Sequence, residues 1–332
     1  MHRREFILAL TTAASFARTL ATESSDAFGK ILPKRPLGAT GEMVTMLGLG
    51  GFHIGWTTEA LAEATIEAAL EEGIRFFDTA ESYGPSTSEE RYGKYLVPKF
   101  RDQIFLMTKT TAANAALAQE HLDASRKRLA TDVIDLWQVH ALESPEDVDA
   151  RLTAGVMDVF LKAKESGAIR HIGFTGHASP YAHLKIMERY GPIFSAAQFP
   201  INPVDAAAPH SFVNQVIPGL LQQKIGILAM KTLADGHFFG KKIMNEQTIW
   251  ETKTPVVPDA LSMEDCLNFA WSLPISVLIA GAEKPEFIRD KAVICRNFAS
   301  LKEETRLKMI ERVGSFVTEG QVEYYKTAAL RS

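Results

Sequence analysis

Arg75-Phe76-Phe77-Asp78-Thr79-Ala80-Glu81-Ser82-Tyr83-Gly84 is an apolar run that stops on an acid, followed by a small-residue turn with a tyrosine five positions on. A greasy strand ending on a charged residue delivers that residue to one edge of a parallel sheet. The arrangement recurs along the chain. Phe105-Leu106-Met107-Thr108-Lys109 ends on a lysine, and Leu136-Trp137-Gln138-Val139-His140 ends on a histidine. Eight short β-branched or aromatic runs read as strands: Val44–Gly50, Ile74–Asp78, Ile104–Lys109, Val133–His140, His171–Thr175, Ser195–Phe199, Gly226–Lys231 and Ser276–Gly281. The first four begin about thirty residues apart, the length of one βαβ repeat.

Stretches of helical periodicity lie between them. Thr58 to Glu72 carries Leu61, Ala64, Ile66, Ala69 and Leu70 on one stripe and stops at Gly73. Ala115–Leu129, Pro145–Ser166 and Pro285–Arg296 are similar, and Ser262-Met263-Glu264-Asp265 reads as a capping box. Strand and helix alternating eight times predict an α/β fold, a (β/α)8 or TIM barrel. An open doubly wound sheet would call for a glycine fingerprint after its first strand. Gly48-Leu49-Gly50-Gly51-Phe52-His53 puts a histidine where the third glycine belongs, and no helix is expected to start there. Two additions complete the barrel, which is expected over residues 31–332. A long loop at Ala234–Pro258 joins strands seven and eight over the mouth, and an amphipathic helical tail spans Leu301 to Tyr325.

The formal charge is −4 and the pI about 6.2, so no basic field exists for gripping nucleic acid. No run reaches the ~18 apolar residues of a membrane span. Cys266 and Cys295 stand apart, without the Cys/His spacing of a metal site, and read as small buried hydrophobes. No metal ligand set is expected. At the start, Arg3-Arg4-Glu5-Phe6-Ile7 precedes a mildly apolar segment and small residues, the pattern of a twin-arginine export signal. Residues 1–30 are therefore expected to be signal and linker, with the export machinery as a partner, a cut after Ala21 or Ala27, and a periplasmic or exported location.

Taken singly, Asp78 reads as a helix N-cap, Tyr83 as a half-buried aromatic and His140 as a structural hydrogen-bonder. Taken together they read differently, because three successive strands bring an acid with a tyrosine, a lysine and a histidine to one rim. That set suits carbonyl reduction. When hydride attacks a carbonyl carbon, the oxygen becomes an alkoxide and needs a proton. A tyrosine has an ordinary pKa of ~10, and a nearby ammonium draws it toward neutrality. Lys109 would supply that field, Asp78 would compensate Lys109, and His140 would orient the carbonyl oxygen.

With Phe77-Asp78-Thr79-Ala80, Tyr83-Gly84, Thr108-Lys109 and Gln138-Val139-His140, residues 36–300 resemble the aldo-keto reductase superfamily. The resemblance implies an NAD(P)H-dependent reductase of aldehydes, ketones or keto sugars, with Tyr83 as proton donor and Asp78, Lys109 and His140 completing the site. It implies a nicotinamide cofactor extended across the barrel mouth, with Gln198 at its carboxamide. Thr175-Gly176-His177 stands where the family has Ser-Asn, and Met230-Lys231-Thr232 where it often has a stacking tyrosine. Thr175 would keep one hydrogen bond, Met230 would pack on the ring, and Lys231 is either a phosphate ligand or a solvated rim lysine. Gly281-Ala282-Glu283-Lys284-Pro285 opens a helix whose N–H groups suit the adenosine phosphates. NADP is expected by family habit, with NAD as the other choice. Glu283 would repel a 2′-phosphate, and Lys284, Arg289 or Lys291 would offset it. His53, Trp56, His177 and His237 are further candidate pocket liners. A monomer acting on a small-molecule carbonyl is the default. The competing readings are a nucleotide-binding regulatory barrel with little turnover and a metal-dependent hydrolase; the latter would need a His-x-His or carboxylate cluster, which the strand ends lack.

Overall fold

The computed structural model describes residues 25–244, 247–318 and 321–331; the paired arginines of the expected export signal lie outside them. Eight strands close a barrel: β1 (Leu47–Gly50), β2 (Phe76–Asp78), β3 (Phe105–Thr110), β4 (Ile134–Val139), β5 (Ile169–Thr175), β6 (Ala196–Pro200), β7 (Gly226–Met230) and β8 (Val277–Gly281). Each pairs in parallel with its sequence neighbour, and β8 closes onto β1. The expected eight-strand α/β barrel is therefore the fold.

Alternation along each strand divides two cores. Phe76, Phe105, Met107, Leu136, Ala196, Leu228, Val277 and Ile279 face inward and fill the barrel. Phe77, Leu106 and Trp137, one residue out of phase, join the larger layer beneath the helices. Phe76 and Phe105 stack with centroids 5.1 Å apart. Because the period is two, a strand with Phe76 inside also has Asp78 inside, one layer higher. The same step carries Met107 to Lys109 and Leu136 to Gln138 and His140.

Several boundaries differ from the sequence reading. Val44–Gly50 is two strands. Met43–Thr45 pairs antiparallel with Lys34–Pro36, and Leu37 and Val44 plug the barrel floor. Helix α1 (Gly51–Trp56) begins directly after β1, where none was expected. A side chain at Gly51 would come within 2.5 Å of the Asp78 carbonyl, so the glycine is what lets the turn close. Helix α2 (Glu59–Glu71) is capped by Thr58 and α3 (Thr87–Tyr95) follows the Tyr83 turn. After α4 (Ala115–Arg128), the stretch from Pro145 to Ser166 breaks into α5 (Pro145–Thr153) and α6 (Val156–Glu165), because Gly155 takes φ +77°.

The long connection between β7 and β8 is not structureless. Lys241–Met244 and Gln247–Glu251 form an antiparallel pair. Helix α7 (Met263–Trp271) begins with the expected capping box, Ser262 and Asp265 bonding each other's backbone N–H. Ser262→Ala should lower stability by about 1 kcal/mol, read from a denaturant midpoint. Helix α8 (Pro285–Arg296) matches its expected bounds. The tail is helical over Glu303–Arg312 and Gly314–Thr318, and leaves helical geometry before Tyr325. Cys266 and Cys295 are buried and unpaired, and burial pushes the Cys295 thiol up to about 12. No helix of the described residues is long and apolar enough to cross a membrane.

Candidate active site

Asp78 closes β2, Lys109 lies on β3 and His140 follows β4, all on one rim. Tyr83 sits in the turn before α3. Gly84 has φ +67°, and a Cβ there would lie 2.2 Å from the Gly55 carbonyl. A residue other than glycine would push the turn off α1 and move Tyr83 with it.

The Lys109 ammonium binds this corner together. It donates to Asp78 Oδ1 at 2.5 Å, to the Thr79 carbonyl at 2.8 Å and to Tyr83 Oη at 3.0 Å. Lys109 is 1% exposed, so all three of its protons are placed within protein. Burial works against its charge, but the charges of Asp78 and Tyr83 and their bonds prevail and hold its pKa above the usual lysine value. Burial raises the Asp78 carboxyl, opposed by the charge and the hydrogen bond of Lys109.

Tyr83 departs from expectation. Burial pushes its phenol above the ordinary value, and the Lys109 ammonium only partly offsets this. The Asp78 charge acts in the same direction as burial, because it cancels the field that Lys109 would otherwise project. Tyr83 thus stays protonated through neutral pH. His140 lies edge-on to it, centroids 5.6 Å apart at 78°. Burial, then the Lys109 charge, drops the His140 pKa well below the usual value, so the imidazole is neutral. Its Nδ1 faces the Ser82 hydroxyl at 3.5 Å, and its backbone N–H donates to the Thr110 carbonyl at 2.8 Å.

The residues expected around a nucleotide continue along the same rim. Thr175 and Gln198 are register partners on β5 and β6 and both are buried. Met230 ends β7 half-buried. Lys231, at φ +52°, stands 3.9 Å from Asp235 with its Nζ 5.0 Å over the Tyr325 ring. Burial lowers its pKa, so it is not a fully solvated rim lysine. Thr232 is buried with its hydroxyl unpartnered, an orphan that a ligand lying on this rim would satisfy. Beyond Gly281, α8 opens at Lys284 with no side-chain cap, which leaves its first N–H groups for an anion. These residues fit an extended dinucleotide.

Glu283 pairs with His53 at 3.2 Å. Arg289 is committed to Glu71 and Glu72, and Lys291 donates to the Gly281 and Phe287 carbonyls. Of the three basic residues proposed to offset Glu283, Lys284 is the one without such a partner. No group of three His, Cys, Asp or Glu among the described residues is placed to hold a metal.

Three features escaped the sequence reading. Gln138 is buried in the barrel and donates to Gln198 Oε1 at 2.8 Å; the inward alternation from Leu136 to His140 was its signal. Phe52 faces Tyr83 edge-on at 5.6 Å, on the helix that was not expected. The C-terminal segment reaches the mouth, where Tyr325 meets His177 with centroids 5.9 Å apart. No local pattern announces that last contact. Of the other suggested liners, His237 stacks between Trp250 and Tyr324 and so belongs to the rim of the long connection.

Residues 46–313 match the Aldo/keto reductase family. Aldo-keto reductase YhdN of Bacillus subtilis is 33% identical over 228 residues, which are 64% of this chain and 65%, just under two thirds, of that protein. L-galactose dehydrogenase of Arabidopsis thaliana is 28% identical over 61% of this chain and 66% of its own length. D-threo-aldose 1-dehydrogenase of a Pseudomonas species is 27% identical over 60% and 68%. Among solved structures, an aldo-keto reductase from Bacillus halodurans in its holo form superposes with TM-score 0.68 at 21% identity, covering 85% of this chain and 96% of that one. At that identity the likeness speaks for the fold. The sequence match spans most of the chain, including every barrel strand and Asp78, Tyr83, Lys109 and His140, and the chain belongs to the Aldo/keto reductase family.

Proposed function

We propose that the protein is an NAD(P)H-dependent carbonyl reductase whose proton donor is Tyr83. The observation that carries this reading is the Lys109 ammonium, bonded at once to Asp78 and to the Tyr83 hydroxyl. When bound, the nicotinamide nucleotide supplies a hydride to the carbonyl carbon. Tyr83 holds the proton that the developing alkoxide takes from Oη. Lys109 steadies the phenolate left behind, and Asp78 keeps Lys109 charged in a dry setting. Neutral His140 holds the carbonyl oxygen beside Tyr83 without competing for the proton. A phenol with raised pKa stays loaded with its proton at neutral pH.

The names of L-galactose dehydrogenase and D-threo-aldose 1-dehydrogenase support a keto sugar or aldose as substrate, with simple aldehydes and ketones as the wider class. NADP is the nucleotide carried from the family resemblance. Lys284 is the cation left for its 2′-phosphate, so titration with NADPH and NADH side by side decides between them. The test of function is nucleotide binding by fluorescence, followed by cofactor absorbance against a panel of sugars, aldehydes and ketones. Binding with turnover is the expected result, and a protein that binds neither nucleotide overturns the reading. Export of a monomer through Arg3-Arg4 belongs to the same proposal, with the nucleotide held tightly during transit. Cell fractionation of wild type beside an Arg3→Lys/Arg4→Lys variant tests it: wild type should be exported and the variant retained, and equal retention of both overturns it.

A further inference from the structure

Strand β4 ends at Val139, and the chain turns sharply at the mouth just beyond it. Ala141 takes φ +53°, a left-handed conformation that a residue with a side chain rarely adopts. The N–H groups on either side of Ala141 are tied down. His140 donates to the Thr110 carbonyl of β3 at 2.8 Å, and Leu142 donates to the Thr175 carbonyl of β5 at 3.0 Å. The carbonyls of His140 and Ala141 have left the strand ladder and need donors from elsewhere.

Arg151, on α5, supplies them. Its Nη1 donates to the His140 carbonyl at 2.6 Å and its Nη2 to the Ala141 carbonyl at 3.3 Å. Its Nε donates to Asp147 Oδ1 at 2.9 Å, one helical turn back. The other oxygen of Asp147 accepts the Glu143 N–H at 3.2 Å, and the Ser144 hydroxyl caps the same helix. The direction of each bond to Arg151 is fixed by chemistry, since a guanidinium only donates and carbonyls and carboxylates only accept. The side chain is 12% exposed and all three of its nitrogens are engaged, so it is a strut between α5 and the turn after β4. That turn carries the imidazole that lies edge-on to Tyr83.

We infer that Arg151 is a positioning residue for the reaction: its guanidinium forks across the carbonyls of His140 and Ala141 and so fixes the turn that aims the His140 imidazole at Tyr83. The inference rests on the carbonyl reductase reading for its effect on turnover, but its hold on the His140 ring does not depend on a substrate.

The test begins with Arg151→Met, which keeps an unbranched chain and removes every donor. Its kcat/KM for the carbonyl should fall about ten- to a hundredfold, the scale for a misplaced group, with the nucleotide Kd near wild type. Arg151→Lys should recover only part of this, because one ammonium does not reproduce a planar fork on two carbonyls. In Arg151→Ala, added guanidinium ion should restore turnover in a saturable way, and the same concentration of sodium chloride should not. The His140 ring is followed directly by proton–carbon NMR. Its signals should be displaced in Arg151→Met, and should return toward wild type when guanidinium ion is added to Arg151→Ala. A role confined to packing would lower the melting temperature and leave the His140 ring in place. Either an undisplaced His140 ring or full turnover in a folded Arg151→Met protein overturns the inference. If Arg151→Met does not fold, Asp147→Ala decides, since it frees only the Nε end of the strut. A smaller displacement of the same His140 signals is expected there, and unchanged signals overturn the inference. An inactive wild type whose His140 signals still move in Arg151→Met would defeat the reductase reading and leave the role of Arg151 standing.

Discussion

Tyr83→Phe should bind nucleotide as wild type does and reduce its carbonyl substrate about 10²–10⁴-fold more slowly, the range for loss of a positioned general acid. The change removes one oxygen from a half-buried ring and leaves its packing against Phe52 and His140 in place. Lys109 keeps Asp78 and the Thr79 carbonyl as acceptors, so the ammonium is not stranded. The defect should therefore appear in kcat, with the nucleotide Kd and the melting temperature near wild type. Lys109→Met makes a useful contrast. It leaves Asp78 buried without its cation, and breaking a buried pair in this way costs about 3–5 kcal/mol. That variant should lose stability together with activity, and Asp78 should take up a proton at neutral pH. Equal rates for wild type and Tyr83→Phe would remove Tyr83 from the mechanism and leave His140 as the remaining donor on this rim.

The barrel and its four-residue centre were legible because both depend on short-range pattern. A strand has period two, so an apolar residue inside at Phe76 requires Asp78 inside at the next layer, and the same count places Lys109 and His140. What the pattern could not carry were balances between opposing effects. Lys109 was expected to draw the Tyr83 phenol toward neutrality. The sequence puts Asp78 and Lys109 on one rim, but it does not show how deeply the phenol is buried, and that burial, helped by Asp78 at 2.5 Å from the ammonium, outweighs the Lys109 field. Helix α1 was missed because its start depends on the close approach of Gly51 to the Asp78 carbonyl, a contact between residues far apart in the chain. The break at Gly155 was missed for a simpler reason: a glycine within two helical stretches reads equally as tolerated or as a stop. The C-terminal segment illustrates the limit best, since nothing near Tyr325 in the sequence says which rim it will cover.

That segment is the basis of the other large effect. Lys326 is 1% exposed and lies 2.7 Å from Asp205 and 2.5 Å from Glu323. Lys326→Met would leave two carboxylates facing each other in a dry site. Asp205 retains bonds from the Ser211 hydroxyl and the Phe212 and Val213 N–H groups. Glu323 has only the Asn202 amide and the Tyr325 hydroxyl, and burial already raises its pKa. Glu323 is therefore the group that will take a proton in the variant. Its folded pKa would then lie further above its unfolded value, so folded-state stability is present at low pH and is lost as pH rises through the folded pKa. The deficit against wild type should be about 3–5 kcal/mol at pH near 8 and clearly smaller near 5. Adding Glu323→Gln should recover part of the loss at the higher pH and little at the lower. Denaturant midpoints at both pH values measure this, with limited proteolysis reporting whether residues 321–331 come free. The consequence for the site follows from Tyr325, which sits over Lys231 and against His177. A segment released by Lys326→Met would uncover the β5–β7 side of the mouth, and nucleotide should leave faster from a barrel that is otherwise intact. Unchanged midpoints at both pH values, with the segment still protected, would show that the Lys326 pair does not hold the C-terminus in place.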